Sequence, residues 1–330
     1  MFLTFHKFCK FLFRKRETAQ VAHQLHSLLT LHLATSQIDA LEHFTKTVSR
    51  ALKDSPRISA EQRDRIKSYA KAHDYYPNVL AECLRSNVAR SSKAIGVIVP
   101  QFEHFYFSSV LSGINQEAMS HGYTLMVSES LAEYETEALI CKRFLENRVC
   151  GVIVSEAKNT VRYDHFKRIL DCHMPLVFYD RICTGINCDR VVVDDYQGAF
   201  NAVNYMIERG CRRVAFYGSP MTMEISKNRY NGYRDALLHN GLEPDDRFFR
   251  ICDNRSDAEA ITPELLSQEE IPDAFFAVND DTAIGILYTA KRMGYRVPED
   301  ISICGFTNGQ RAVASDPMLT TVEQRGQRVG

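Results

Sequence analysis

The chain has 330 residues, of which 45% are apolar and 25% charged, and no stretch approaches the roughly 20 apolar residues that a membrane-spanning helix needs. This composition is typical of a soluble globular protein, and at about 100 to 200 residues per domain the length predicts several domains. The net charge of −1 is unevenly distributed, because residues 1–93 carry 16 Lys and Arg against 8 Asp and Glu, whereas residues 94–330 carry 24 against 33. A part with a charge of +8 followed by a part with −9 favours phosphate binding by one end of the chain.

Two features of the sequence indicate the compartment. The apolar N-terminus is followed, and not preceded, by Arg14, Lys15 and Arg16, which is the reverse of the order in a secretory signal. The ten cysteines stand singly, without a Cys-x-x-Cys pair that could hold a metal or exchange disulfides. We therefore expect free thiols in a reducing compartment, which is the cytoplasm. The eleven histidines show no metal-ligand spacing, so we expect no metal.

Two short helices are predicted within the basic part of the chain. Residues 45–54 repeat apolar side chains at the spacing of one helical face. A second helix is predicted from Ser59 to about residue 73, because Ser59 and Gln62 form a capping box that satisfies two otherwise unpaired backbone N–H groups. Residues 74–93 follow as a polar, basic connector. This part of the chain is too small to form an enzyme.

From residue 94 onward, short apolar runs alternate with amphipathic segments. Continuous apolar runs indicate strands that are buried on both faces of a parallel sheet. The predicted strands are residues 95–99, 123–127, 151–154, 175–179, 213–217, 274–278 and 301–304. The predicted helices are residues 108–121, 135–147, 197–209, 228–240 and 280–293, several of them ended by Gly122, Gly210, Gly241 or Gly294. The alternation predicts a doubly wound α/β fold.

A break in this alternation follows Asp180. Residues 181–190 are irregular and residues 191–195 lead into a new helix, which favours two lobes joined by a crossing chain over one large sheet. Ligands of open α/β sheets bind beyond the carboxyl ends of the strands. In a two-lobed arrangement those ends face one cleft, which is the predicted ligand site.

Three segments carry a resemblance to a known family. They are Thr47-Val-Ser-Arg-Ala-Leu-Lys-Asp-Ser-Pro-Arg-Ile-Ser59, Tyr75-Tyr-Pro-Asn-Val-Leu-Ala-Glu-Cys-Leu-Arg85 and Lys93-Ala-Ile-Gly-Val-Ile-Val-Pro100. In this order and spacing they resemble the head, the hinge and the first sensor strand of bacterial transcriptional repressors of the LacI/GalR (lactose-repressor) family. The resemblance extends over most of residues 45–330.

The resemblance implies how the chain is divided. Residues 1–44 match nothing in the family, residues 45–76 correspond to a helix-turn-helix head, and residues 77–93 correspond to a hinge or linker. Residues 94–330, which we call the sensor, correspond to a two-lobed effector-binding domain resembling the periplasmic binding proteins. The family also implies a homodimer, a pseudo-palindromic DNA operator and a small-molecule effector, and it implies no cofactor.

The resemblance also implies DNA contacts. Thr45, Lys46, Thr47, Ser49 and Arg50 would lie on the recognition helix, which enters the major groove in a helix-turn-helix protein. The long cations at positions 46 and 50 are the expected base readers, since Arg and Lys donate well to guanine. In the family the hinge folds into a helix on DNA, and the residue matching Leu84 wedges into the minor groove. The hinge positions expected at the DNA are Asn78, Ala81 and Leu84.

The effector positions implied by the family lie in the sensor. They are Tyr106, Phe107, Asp180, Arg229, Asn279, Asp280 and Phe306. Aromatic faces can take the apolar side of a ring, while Asp, Asn and Arg bind hydroxyl or carboxylate groups, so a sugar or related metabolite is expected. Each residue taken singly fits a structural role as well, and Asp280 in particular is favourable at the N-terminus of the following helix.

The chain departs from the family in three places. The first helix of the head and its turn glycine are not recognisable before Thr45, and Glu42 stands where the glycine belongs. The family continues past Gly330 with a helix and a last pair of strands, so we expect an altered N-terminus and a truncated C-terminus. Phe306 is followed by Thr307 and Asn308, whereas the family often has Asp after this aromatic residue. The difference replaces a charged hydrogen-bond acceptor with neutral groups.

No catalytic motif is recognisable. The sequence has no Walker loop, no His-Glu-x-x-His, no Gly-x-Ser-x-Gly, and no Gly-x-Gly-x-x-Gly after the first strand. We therefore expect a non-enzymatic transcriptional repressor whose operator affinity is controlled by an effector. The alternative is a ligand-binding protein of the same fold without DNA function, either a periplasmic sugar binder or a remnant repressor.

Overall fold

The computed structural model describes residues 46–52, 54–72 and 93–330. The chain forms two compact units, residues 1–90, which include the head, and residues 91–330, which include the sensor. The positions Thr45, Asn78, Ala81 and Leu84, together with the unmatched residues 1–44, lie outside the described residues.

The head contains both predicted helices. Helix α1 covers residues 46–52 and helix α2 covers Ala60–Ala72. The Ser59 hydroxyl accepts a hydrogen bond from the Gln62 backbone N–H at 3.4 Å, as expected for the predicted cap. The Lys67 ammonium lies 2.5 Å from the Asp54 carboxylate and joins α2 to the turn that precedes it. The apolar face of α1 is packed inward, since Ala51 is fully buried.

The sensor contains two five-stranded parallel sheets, which confirms two lobes over one large sheet. Lobe 1 contains β1 (Ala94–Val99), β2 (Thr124–Glu129), β3 (Gly151–Val154), β4 (Leu176–Tyr179) and β5 (Asp189–Val191), in the spatial order β2-β1-β3-β4-β5. Lobe 2 contains β6 (Val214–Gly218), β7 (Phe249–Ile251), β8 (Ala274–Ala277), β9 (Ser302–Thr307) and β10 (Thr320–Glu323), in the order β7-β6-β8-β9-β10. In each sheet the first strand along the chain is second from one edge. The following strand is added on one side of it and the later strands on the other side, as in doubly wound folds.

Helices cover these sheets. In lobe 1 they are α3 (Phe105–Ser120), α4 (Tyr134–Glu146) and α5 (Asp164–Asp171). In lobe 2 they are α6 (Asp195–Glu208), α7 (Glu224–His239), α8 (Arg255–Leu266), α9 (Asp280–Arg292) and α10 (Gln310–Ala314), with a 3₁₀ turn at Asp246–Phe248 before β7. A short α11 (Gly326–Val329) follows β10. Helices α3, α6, α7 and α9 are each followed closely by a glycine with a positive φ, which confirms the predicted stops.

The central strands are buried on both faces, which explains their continuous apolar runs. Successive side chains of a strand point to opposite faces of a sheet. Phe275 and Phe276 of β8 therefore enter two separate hydrophobic clusters, and each is fully buried. In lobe 1, Val97 and Ile98 of β1 are divided between two clusters in the same way. Burying one such side chain contributes about 1.5–3 kcal/mol.

Seven helices and strands of the sensor had no sequence prediction, among them α10 and α11, which have only five and four residues. Strands β5, β7 and β10 lie at sheet edges and have only three or four residues, so their apolar signal is short. Helix α5 has eight residues, and helix α8 contains Pro263. Proline is unfavourable within a helix, and eight residues carry little periodicity, so propensity and pattern both fail at these helices.

The chain passes between the lobes twice in the described residues. It leaves lobe 1 after β5 and enters α6, which packs on α7 in lobe 2. It returns after β10, where α11 packs on α3 of lobe 1. Helix α11 lies so close to α3 that only glycine fits at position 113, because a Cβ there would lie 2.2 Å from the Gln327 carbonyl oxygen.

Candidate ligand-binding cleft

The carboxyl ends of the two sheets face each other across a cleft. Lys158 lies in the loop after β3 of lobe 1, and Asp253 lies in the loop after β7 of lobe 2. Their side chains form an ion pair with an N–O distance of 2.6 Å. At a second place, Phe105 of lobe 1 lies against Gly309, which follows β9 of lobe 2. The loops at the strand ends therefore line one cleft, where the α/β pattern predicts a ligand.

Arg229 of α7 holds the lobe 2 wall of this cleft together. Its guanidinium donates to the Asp195 carboxylate with an Nε–Oδ1 distance of 2.8 Å and also donates to the Val278 carbonyl oxygen. It stacks on Phe306, with its central carbon 3.7 Å from the ring centroid. Arg229 and Phe306 are only 4% and 1% exposed. In the described structure both residues thus serve the packing of lobe 2.

Asn279 and Asp280 use their polar groups within lobe 2. The Asn279 side chain accepts from the Thr282 backbone N–H at 2.8 Å, which caps α9, and donates to the Asp253 carbonyl oxygen at 2.8 Å. The Asp280 carboxylate accepts from the Gly309 backbone N–H at 2.7 Å and from the Thr321 hydroxyl at 2.5 Å. Asp280 therefore fastens the loop after β9 and the start of β10 to α9.

The two predicted aromatic residues of lobe 1 belong to its core. Tyr106 and Phe107 are 2% and 3% exposed, and Phe107 meets Tyr179 edge-on with 6.3 Å between ring centroids. The aromatic surface open to solvent beside them belongs to Phe102 and Phe105, which are 47% and 40% exposed. Sequence reasoning missed these two residues, although Phe102 lies in the loop after β1 and Phe105 begins the helix that follows this loop.

Asp180 lies at the carboxyl end of β4, as predicted, in the left-handed backbone conformation with φ of 58°. Burial raises the pKa of its carboxyl to about 6; the charge of Arg181 opposes this rise, and that of Asp195 adds to it. The Arg181 guanidinium in turn lies over the Phe107 ring, 5.5 Å from its centroid. The end of β4 thus presents a carboxyl and a cation beside an aromatic ring.

Three more titratable residues of lobe 1 were not predicted. Among the described residues, His104 Nδ1, Glu156 Oε1 and Arg181 Nη1 are buried atoms without a hydrogen-bond partner. Burial lowers the pKa of His104 to about 4 and raises that of Glu156 to about 8. Glu156 and Arg181 each stand two residues beyond a predicted strand, and this spacing is the signal that could have indicated them.

The described part of the predicted DNA surface is α1. Lys46 and Arg50 are exposed and stand four residues apart, so they share one side of the helix. Thr47 and Ser49 are half-buried. No group of metal-ligating side chains is found in residues 46–52, 54–72 and 93–330, and no helix there is long and apolar enough to span a membrane.

Comparisons with known proteins find matches to two parts of the chain. Residues 45–78 match the lacI family of bacterial regulatory proteins, and residues 203–330 match the periplasmic binding protein-like domain. The HTH-type transcriptional repressor CytR of Escherichia coli (strain K12) is 29% identical over 287 residues, covering 87% of this chain and 83% of the relative. The HTH-type transcriptional repressor PurR of Vibrio atlanticus (strain LGP32) is 28% identical over 289 residues, covering 87% and 85%.

Solved structures share the fold. The lac repressor dimer bound to operator and the anti-inducer ONPF superposes with a TM-score of 0.75 at 21% identity, covering 86% of this chain and 84% of that one. The complex of the transcriptional regulator CelR with cellobiose gives a TM-score of 0.65 at 24% identity, covering 86% and 85%. The fold and the cleft define a two-lobed domain of the periplasmic-binding-protein type. It is preceded in the chain by a segment that matches the lacI family. The chain is thus similar to the lacI family of bacterial regulatory proteins over residues 45–78 and to HTH-type transcriptional repressors over most of its length.

Proposed function

We propose that this protein is a transcriptional repressor whose affinity for a pseudo-palindromic DNA operator is set by a small-molecule effector bound between the lobes. The proposal rests on the order of the head and the sensor along the chain. A segment matching the lacI family precedes a sensor in which the strand ends of both lobes face one cleft. An effector can change DNA affinity only by binding one arrangement of the lobes more tightly than another.

The effector class is a sugar or a related metabolite. Phe102 and Phe105 offer exposed aromatic faces at the cleft, on which the apolar side of a sugar ring or a base can stack. Asp180 places a carboxyl at the end of β4, next to Arg181. The cellobiose named in the CelR complex is a sugar, in keeping with this class.

The assembly is a homodimer in the cytoplasm, without catalytic activity. The relatives are named as transcriptional repressors, and the lac repressor structure is a dimer on its operator. Eight cysteines in residues 93–330 are free thiols, which suits a reducing compartment. A two-fold dimer matches a palindromic site because protein and DNA symmetry coincide.

Binding of the purified full chain to a library of palindromic duplexes, at several salt concentrations, tests the proposal. Lys46→Ala and Arg50→Ala should each weaken binding to the preferred sequence by about 1–3 kcal/mol if they read bases, and should relax the preference at one position. Lys142→Ala, at an exposed position of lobe 1, is the matched control. A wild-type chain without any sequence preference would refute repressor function and leave a ligand-binding protein without DNA function.

A further inference from the structure

The second passage of the chain between the lobes turns on a single exposed residue. Gln324 ends the lobe 2 side, where it is 5% exposed and its side-chain oxygen accepts a hydrogen bond from the Thr307 hydroxyl at 2.9 Å. Gly326 begins the lobe 1 side as the first residue of α11, and it is packed so closely on α3 that a Cβ there would overlap the Ser109 hydroxyl. Arg325 is the exposed residue between these two fixed points.

Arg325 has a backbone conformation that is unfavourable for its side chain. Its φ and ψ are 49° and 48°, which is the left-handed helical region. There the Cβ of an L-residue lies too close to the following carbonyl oxygen, so that glycine, and to a lesser extent Asn and Asp, are the residues that adopt this region readily. The residue before a helix normally has an extended backbone. The Arg325 side chain does not compensate by capping α11.

The place of Arg325 in the chain distinguishes it from other residues with a positive φ. Arg148 and His173 also have a positive φ, but they follow α4 and α5 within lobe 1. Among the non-glycine residues that the structure describes with a positive φ, Arg325 alone lies in a segment that passes between the lobes. Gln324 and Gly326 are held on either side of it, so a rotation of one lobe against the other changes the backbone angles of Arg325.

Contacts between the lobes hold this arrangement against the strain at Arg325. They include the Lys158–Asp253 ion pair at 2.6 Å and the approach of Phe105 to Gly309. We propose that Arg325 is a strained hinge that biases the lobes toward a second arrangement, in which these contacts are broken and Arg325 has a negative φ. The bias brings the two arrangements closer in free energy than the contacts alone would, so a ligand needs less differential affinity to shift the lobes. The inference concerns the sensor alone and holds whether or not the head binds DNA.

Single-molecule fluorescence energy transfer tests the proposal on the full, unliganded chain, with one label on each rim of the cleft. The labels are attached through unnatural amino acids, because the sensor has free cysteines. Arg325→Gly removes the steric penalty and should shift the population ratio about five- to thirtyfold toward the short distance across the cleft. Arg325→Val, whose β-branched side chain is less compatible with a positive φ, should shift the ratio toward the long distance. Arg325→Ala keeps a Cβ and loses the charge that lies 3.6 Å from the Glu323 carboxylate, so it should resemble wild type.

Arg148→Gly is the matched control, because it relieves the same kind of strain within lobe 1 and should leave the interlobe distribution unchanged. Melting temperatures show whether each variant is folded. Rising salt concentration weakens the Lys158–Asp253 pair, so the ratio is measured at several concentrations. The proposal is overturned if neither Arg325→Gly nor Arg325→Val shifts the ratio, if both shift it in the same direction, or if Arg325→Ala or Arg148→Gly shifts it as much as Arg325→Gly does.

Discussion

At the scale of single residues, Arg229 uses its guanidinium for hydrogen bonds and stacking within lobe 2. Its cation is matched by Asp195 at an Nη2–Oδ1 distance of 2.7 Å, and both side chains are 5% exposed. Breaking a buried pair from one side is costly because the remaining charge keeps no partner. Burial raises the pKa of Asp195, and the charge and hydrogen bond of Arg229 oppose that rise.

We predict that Arg229→Leu lowers the free energy of unfolding by about 3–5 kcal/mol, measured by urea denaturation of the full chain. Arg234→Leu, on the same helix with its ion pair to Asp235 partly exposed, should cost less than about 1 kcal/mol. The double variant Arg229→Leu/Asp195→Asn should recover part of the loss. Equal losses for Arg229→Leu and Arg234→Leu would contradict the assigned role.

Glu156 gives stability a pH dependence of known sign. Burial and the nearby Glu137 raise the pKa of its carboxyl from 4.5 to about 8, the Arg181 charge opposes this, and Tyr163 and Cys183 are the other titratable groups near it. Between these two pH values the folded chain binds a proton that the unfolded chain has lost. The contribution of Glu156 to stability is therefore present below about pH 4.5 and is lost as the pH rises to about 8.

Glu156→Gln removes this titration. We predict that the variant gains stability over wild type as the pH rises through that window, by roughly 1–3 kcal/mol at its upper end, with no further gain above it. Unfolding free energies measured at several pH values test this. Glu135→Gln on the exposed side of α4 should show no such trend, and a constant difference for Glu156→Gln would rule the titration out.

At the scale of elements, α4 supports the loop that faces the cleft. The fully buried Glu137 accepts hydrogen bonds from the Ala157 backbone N–H at 2.7 Å and from the Thr160 hydroxyl at 2.7 Å, and it pairs with His165 at 2.9 Å. One carboxylate thus ties the loop after β3, and the start of α5, to α4. The loop carries Glu156 and Lys158 into the cleft.

We predict that Glu137→Ala increases amide hydrogen exchange in residues 155–163 well above that in the β strands, because three hydrogen bonds to the loop and to α5 are lost together. It should also lower the unfolding free energy by about 2–4 kcal/mol, as expected for an unsatisfied buried site. Glu135→Ala, two residues earlier and exposed, is the control. Exchange that rises uniformly over lobe 1 would mean general destabilisation and would not support a local role.

At the scale of the whole sensor, the Lys158–Asp253 ion pair joins a loop of lobe 1 to a loop of lobe 2. Its side chains are 34% and 11% exposed, so the pair is only partly screened by solvent. Asn279 holds the Asp253 backbone from α9, and Glu137 holds the loop of Lys158 from α4. Lys158 and Asp253 therefore both lie in loops that are held by hydrogen bonds within their own lobes.

We predict that Lys158→Met widens the distribution of interlobe distances, measured by fluorescence energy transfer between labels on the two lobes of the unliganded chain. High salt should widen the wild-type distribution in the same direction, because screening weakens the pair. Lys142→Met, whose ion pair lies within α4, should leave the distribution unchanged. Identical distributions for Lys158→Met and wild type would show that apolar contacts alone set the lobe positions.

The fold was largely predictable because its signals are local. The strand Gly151–Val154 has the same first and last residues as predicted. Gly122 and Gly294 follow the ends of helices, as predicted. The edge strands β5, β7 and β10 were not predictable, since a strand of three or four residues becomes one only by pairing with a neighbour. Helix α8 contains Pro263 and forms nonetheless, because it packs on α9 and buries Leu265.

The sequence by itself determined the α/β alternation, the two lobes, the family resemblance and the positions at the strand ends. These features depend on neighbouring residues, because a continuous apolar run marks a strand buried on both faces and a glycine marks the end of a helix. Only the tertiary structure decided how those positions are used. The side chains of Arg229, Asn279 and Asp280 form hydrogen bonds within lobe 2, which the sequence does not show. Glu156 and Arg181 each have a buried polar atom without a hydrogen-bond partner among the described residues. Which polar atoms find partners depends on residues brought together from distant segments, such as Arg229 with Asp195 and Lys158 with Asp253.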